Sequence, residues 1–150
     1  MKQDWKAGEL ALTYNRTEPD GRRITCPEVS TAELRKYYGD DMEVREVALV
    51  IGLSRANKIR SVFRVSTGGC AGCLIDPKLV FSRLLLDNCA AFVLSHNHPS
   101  GNHSPSASDN TLTQQFINAG KALDLPMHDH IIVTESGFYS YATSSSLILN

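Results

Sequence analysis

Residues 95–109 read SHNHPSGNHSPSASD, and the spacing of ionisable groups in that stretch organises the reading of the whole chain. His96 and His98 stand two positions apart, and Asp109 lies eleven residues beyond His98. The run just before them, AAFVLS (90–95), has the length and composition of a short buried strand. Side chains two apart along a strand point the same way, so two imidazoles at its exit can reach one ion. Ser106 followed three residues later by Asp109 has the form of a capping box that opens a helix. Asp109 then falls on the first helical turn, close to the strand's end. Two imidazoles and one carboxylate leave one of zinc's four tetrahedral positions for water, the pattern of a catalytic zinc rather than a structural one. The same donors also suit a non-haem iron facial triad.

Outward from this stretch the elements follow in simple order. Ser30 with Glu33 predicts a capped helix over about 31–38. Strands are expected at about 45–53 and 58–66, joined by the turn SRAN. After a loop at 67–75, Asp76-Pro77 forms an N-cap and first-position pair opening a helix to about 88. Its Leu79, Val80, Leu84 and Leu86 are expected to face a sheet. The strand 91–95 and the His loop lead into a helix over 107–123, in which Gly120 either permits close packing or frays the end. Strands at about 129–134 and 138–142 complete the pattern. The order αββαβαββ reads as an α/β (α+β) domain: a mixed β-sheet flanked by helices. Residues 1–27, with the turn signal EPDGR, are expected to form an edge hairpin or loose arm, and 28–150 a single domain.

His96, His98, Pro99, Ser106 and Asp109 also fill every fixed position of the JAMM motif of the JAB/MPN metalloproteases. HNHPSG (96–101), LPMHDHIIV (125–133) and GFYS (137–140) resemble the RadC-like, UPF0758-type branch, over about residues 28–141. The resemblance implies the JAB/MPN fold, related to the cytidine-deaminase architecture, with one Zn2+ per chain held by His96, His98 and Asp109. It implies that Ser106 helps hold the oxygen of a tetrahedral intermediate. Aligning REVALVIGLS (45–54) with the corresponding family segment puts Glu46 on the acid/base position. Glu43 and Glu28 compete for that role, but neither directly precedes the apolar run. The implied activity is hydrolysis of a peptide or isopeptide bond in a protein or peptide substrate. The alternative is a non-proteolytic, metal-containing binding module associated with DNA repair or mobile-element functions. In longer members a helical DNA-binding-like domain precedes this module, and none is expected here.

Each site residue has a plainer reading beside the functional one. Ser106 serves equally as a helix N-cap. Glu46 is also read as a solvated charge at a strand start. His103, off the motif, reads as a surface residue within reach of substrate. For Asp129 and His130 the expectation is a structural role, or support of a zinc-binding histidine, rather than direct ligation. Strand alternation over 128–133 puts His128 and His130 on one face and Asp129 on the other. Cys70 and Cys73 form a CxxC within GGCAGC (68–73), readable as a redox pair or half a zinc site, or as incidental thiols in a Gly-rich connector. Zinc deaminases need His-x-Glu and a later Pro-Cys-x-x-Cys, and this CxxC precedes the histidines without the proline.

Composition sets the outer bounds. At 150 residues, 42% of them hydrophobic, the chain fits one domain with a sizeable core. A net charge of −1 gives no global attraction to nucleic acid or membrane. The bases Arg22, Arg23, Arg35 and Lys36 are scattered, and RANKIRSVFR (55–64) reads as a phosphate contact or as an exposed strand. No apolar run reaches the roughly 20 residues of a membrane helix, and MKQDWKAGELALTYN lacks a secretory apolar region. Four cysteines without a disulfide pattern point to the reducing cytoplasm. Oligomeric state is left open, a homodimer being one arrangement.

Overall fold

Strands β1 (Val47–Leu53) and β3 (Ala91–Asn97) are buried at every position, which requires a layer on each face of the sheet they share. The computed structural model describes residues 21–68 and 74–145. Within them run α1 (Pro27–Tyr38), a 3-10 turn (Gly39–Asp41), β1, β2 (Ile59–Thr67), α2 (Pro77–Leu86), β3, α3 (Ala107–Ala122), β4 (Met127–Val133), β5 (Phe138–Ser140) and α4 (Tyr141–Ser144). The strand order is β2-β1-β3-β4-β5, a mixed five-strand sheet. All neighbours are antiparallel except β3 and β4, which are parallel. A parallel pair needs a crossover, and α3 supplies it.

Alternation along the strands divides the core in two. Val47, Leu49, Ile51 and Leu53 of β1 join Ala91, Val93, Ile131 and Val133 beneath Leu34 and Tyr38 of α1. Ala48 and Val50 join Phe92, Leu94 and Met127 against Val80, Phe81 and Leu84 of α2 and Phe116 and Ile117 of α3. The rings of Phe81, Phe92 and Phe116 meet there at centroid distances of 5.4 to 6.2 Å. The α/β architecture with a mixed sheet between helices is as expected.

Local expectations differ in several places. Helix α1 begins at Pro27, not near 31, and its N-cap is Cys26 without a side-chain hydrogen bond. Proline is preorganised for a first helical position and starts the helix a turn early. Ser30 therefore lies inside the helix with its hydroxyl on the Cys26 carbonyl, and Glu33 pairs with Lys36 and Arg22 instead of closing a capping box. On α2 the buried face is Val80, Phe81 and Leu84, whereas Leu79 and Leu86 face solvent. The segment after β4 is strand only to Ser140, whose hydroxyl then caps α4. Residues 21–24 run beside the β1–β2 turn, with Arg23 bridged to Lys58 and Ile24 buried in the core. Cys70 and Cys73 lie outside the described residues. Among the described residues, no helix is long and apolar enough to cross a membrane.

Candidate metal centre

The register of β1 against β3 assembles the site. Ala48 pairs with His96, and extending that antiparallel register by two residues sets Glu46 across from His98. His96 lies within β3 rather than beyond it. His98 follows the strand but stays tied to the sheet, because its N–H donates to the Val133 carbonyl at 3.0 Å. The chain then turns through Gly101, at φ +82, a conformation glycine adopts without strain. The turn returns the Asn102 carbonyl to His98 Nδ1 at 2.7 Å.

The expected capping box is present at the start of α3. Ser106 Oγ accepts the Asp109 N–H at 3.1 Å, and Asp109 Oδ2 accepts both the N–H and the hydroxyl of Ser106 at 2.7 Å. The box fixes Asp109 toward β3. Its Oδ1 lies 3.0 Å from His96 Nε2, and its Oδ2 lies 3.6 Å from His98 Nε2. The two Nε2 atoms are 3.0 Å apart. Glu46 Oε1 stands 3.9 Å from each of them. The structure thus brings together Glu46, His96, His98, Ser106 and Asp109, contributed by three separate segments.

The donor set fits a metal ion. A carbonyl oxygen only accepts, so the proton of neutral His98 sits on Nδ1, and the Nε2 lone pair faces His96 and the carboxylates. Lone pairs and carboxylates gathered this closely repel unless a proton or metal cation sits among them. One ligand atom each from Glu46, His96 and His98 falls within 4.8 Å of the others, so this group could hold a metal ion. Zinc accepts such nitrogen and oxygen donors. The Asp109 oxygens are nearer the imidazoles than Glu46 is.

Electrostatics point the same way. Burial raises the Asp109 carboxyl, but contacts with His96, His98 and Ser106 outweigh it and hold Asp109 far below the ordinary carboxylate range. The Asp109 carboxylate in turn raises the His98 imidazole against burial, with the Asn102 carbonyl and Glu46 adding to the effect. Both shifts describe a pocket that stabilises positive charge between the rings.

Behind the rings lies a second layer. His130 on β4 is fully buried, with Nε2 2.9 Å from His96 Nδ1 and Nδ1 2.6 Å from Thr113 Oγ1. Burial, reinforced by His96, keeps His130 well below an ordinary histidine's pKa. The ring of Tyr141 stacks on it at 5.0 Å and 5°, and the Tyr141 hydroxyl donates to Asn110 Oδ1 at 2.7 Å. Alternation misplaces His128. The β3–β4 pairing slips between Phe92 and Val93, so Met127 and His130 face one side and His128 is left exposed. Asp129 accepts from Ser140 Oγ at 2.6 Å and the Ala142 N–H at 3.0 Å, tying β4 to the β5–α4 corner. Burial raises its carboxyl despite these donors. His103 is exposed and packs near Gly137.

Asn97 is the residue the sequence reading missed. Its side chain points to the opposite face from His96 and is fully buried. Oδ1 accepts the Val47 N–H at 2.7 Å, while Nδ2 donates to the Met42 and Arg45 carbonyls at 2.8 and 3.0 Å. Those partners bracket Glu46. The available signal was an amide at the end of an otherwise apolar strand, since a buried amide needs partners. Several of the scattered bases are engaged within the fold. Arg60 donates to the Asp87 carbonyl, Arg64 to Asp41 and the Tyr37 carbonyl, and Arg35 to the carbonyls of Glu135 and Gly137.

Sheet, crossover and site together define an α/β domain of the JAB type. The chain belongs to the RadC-like JAB domain family, whose model matches residues 24–146. It is 36% identical over 148 residues to a UPF0758 protein of Salinibacter ruber, covering 91% of this chain and 61% of that relative. It is 31% identical over 135 residues to one of Syntrophotalea carbinolica, covering 89% and 59%. The UPF0758 protein YfjY of Escherichia coli is 35% identical over 98 residues, covering 65% and 61%. The chain thus spans about three fifths of the length of these curated relatives.

Proposed function

We propose that this domain is a zinc-dependent hydrolase of peptide or isopeptide bonds, acting on a protein or peptide substrate. The observation that carries the reading is the unequal placement of two carboxylates around one imidazole pair. Asp109 Oδ1 lies 3.0 Å from His96 Nε2, and Glu46 Oε1 lies 3.9 Å from both rings. His96, His98 and Asp109 would hold the ion, leaving Glu46 at a distance suited to moving protons. Bound there, zinc would lower the pKa of a water to about 7 and polarise the substrate carbonyl. Glu46 accepts the proton of the attacking water and delivers it to the leaving nitrogen. The amide C–N bond breaks, and carboxylate and amine are released. Ser106 acts first by holding Asp109. For its hydroxyl to stabilise a developing oxyanion, it must exchange the 2.7 Å bond to Asp109 Oδ2 for one to the substrate. Glu46, His98 and Asp109 keep part of their side chains exposed, so a substrate can approach from solvent.

Elemental analysis of wild type, His98→Ala, Asp109→Ala and Glu46→Gln tests this, alongside hydrolysis of peptide and lysine-linked isopeptide libraries. The expectation is one zinc per chain in wild type and Glu46→Gln, loss in the other two variants, and hydrolysis by wild type alone. Loss of zinc from Glu46→Gln would make Glu46 a ligand and remove its proposed role. A zinc-loaded wild type that cleaves neither library would point to the non-proteolytic binding module.

A further inference from the structure

We infer that His130, backed by Thr113, is a positioning residue that fixes the proton of His96 on Nδ1 and presents its Nε2 lone pair to the metal centre. The inference rests on the reading of that centre as a metal site, and its geometric part stands without it. Thr113 Oγ1 lies 2.6 Å from the Asp109 carbonyl oxygen and 2.6 Å from His130 Nδ1. The carbonyl can only accept, so the single hydroxyl proton goes to Asp109. Thr113 Oγ1 then accepts from His130, which places the His130 proton on Nδ1. The Nε2 lone pair of His130 accepts in turn from His96 Nδ1 at 2.9 Å. With one proton on each ring, the direction of every bond follows from the first. His96 is left with one nitrogen free, Nε2, beside His98 Nε2 and Asp109 Oδ1.

The chain also joins two proposed ligands held on different elements. His96 is on β3 and Asp109 on α3, and the path between them runs through β4 and back to the Asp109 backbone. Stacking of Tyr141 fixes the plane of the His130 ring, and the Tyr141–Asn110 bond anchors that ring to α3. Ligating histidines usually donate their second nitrogen to a carboxylate, a backbone carbonyl or water. An imidazole acceptor orients the ligand without adding negative charge, so the charge of this centre rests with Asp109 and Glu46.

Two readouts test the chain. The first is 15N–15N coupling through the hydrogen bond between His96 Nδ1 and His130 Nε2 in 15N-histidine-labelled, zinc-loaded wild type. The second is the zinc dissociation constant, by chelator competition, for wild type, His130→Ala, His130→Gln and Thr113→Val, with thermal melting alongside to separate folding from binding. A coupling with the proton on His96 Nδ1 is expected. His130→Ala is expected to bind zinc 10–100-fold more weakly. His130→Gln, whose amide oxygen can accept the same proton, recovers much of that loss, and the near-isosteric Thr113→Val falls between wild type and His130→Ala. Unchanged zinc affinity in a folded His130→Ala, or a His96 Nδ1 without a proton, overturns the inference. Should His130→Ala fail to fold, the wild-type coupling and Thr113→Val decide. If wild type takes up no zinc, the proposed function falls, and the coupling measured on the metal-free chain decides whether His130 sets the His96 proton.

Discussion

Replacing Asn97 with alanine removes the link between the end of β3 and the residues on either side of Glu46. The side chain is fully buried and makes three short bonds, from the Val47 N–H and to the Met42 and Arg45 carbonyls. At about 1 kcal/mol net for each, their loss costs about 3 kcal/mol. The Val47 N–H is then left buried without its partner, which adds to the loss unless water enters the space. Against a total stability of about 5–15 kcal/mol, the change is large but survivable. Urea denaturation at constant slope measures it directly. The effect on the site is separable from the effect on stability. On the proposed function, Asn97→Ala is expected to keep its zinc, because His96, His98 and Asp109 are held by other bonds, and to lose hydrolysis, because Glu46 loses its fixed position. A stability loss below about 1 kcal/mol, or a folded Asn97→Ala that hydrolyses substrate at the wild-type rate, would refute the role assigned to this amide.

Two further outcomes follow from packing and burial. Alanine normally stabilises a helix by about 1 kcal/mol over glycine. At Gly120, however, an added Cβ would lie 2.6 Å from the Leu125 carbonyl oxygen, so Gly120→Ala is expected to lose about 1 kcal/mol or more in thermal or urea unfolding, and a stabilised variant would disprove the contact. Burial pushes the fully buried Tyr141 hydroxyl up to about 12, against an ordinary value near 10. The folded state therefore holds this proton more tightly than the unfolded chain. The contribution is present in full below pH 10 and is lost as pH rises through about 12. Ultraviolet titration should show one tyrosine ionising about two pH units late.

Legibility of this molecule in its sequence tracks the range of the interactions involved. Ser106 and Asp109 stand three apart and close their capping box within one turn, so spacing alone is enough to find them. Ser30 and Glu33 have the same spacing and form no box, because Pro27 has already started the helix. The nearness of Glu46 to the histidines depends on the pairing of Ala48 with His96, a register that local pattern does not specify, and only the family resemblance pointed to it. His128 departs from the alternation expected of it because one irregularity in the β3–β4 pairing leaves it out of the ladder and pushes it outward, while His130 and Asp129 face opposite sides as expected. Leu79 and Leu86 show the limit of hydrophobicity as a guide: their residue type suits a core, and the helix turns them to solvent.

The proposed function divides one chemical group, the carboxylate, between two tasks. Asp109 sits in the first turn of α3, where the helix dipole favours negative charge. Its Oδ2 takes two hydrogen bonds from Ser106, and, against the effect of burial, these and the contacts with His96 and His98 hold its carboxyl well below the ordinary carboxylate range. A group so held is suited to staying on a cation and poorly suited to exchanging a proton. Glu46 is placed differently. It stands just before β1, positioned through its backbone neighbours by Asn97, and among the described residues its carboxylate meets only the two imidazoles, at 3.9 Å. The acid/base role proposed for Glu46 calls for a carboxylate without such strong partners. Pairs of acids whose surroundings differ in this way are how active sites separate acid/base work from electrostatic stabilisation. In the proposed function that separation would come from secondary structure, with one acid at a helix start and the other at a strand entry. On that proposal, exchanging the two would put the loosely partnered carboxylate on the ion and the firmly held one where protons must move.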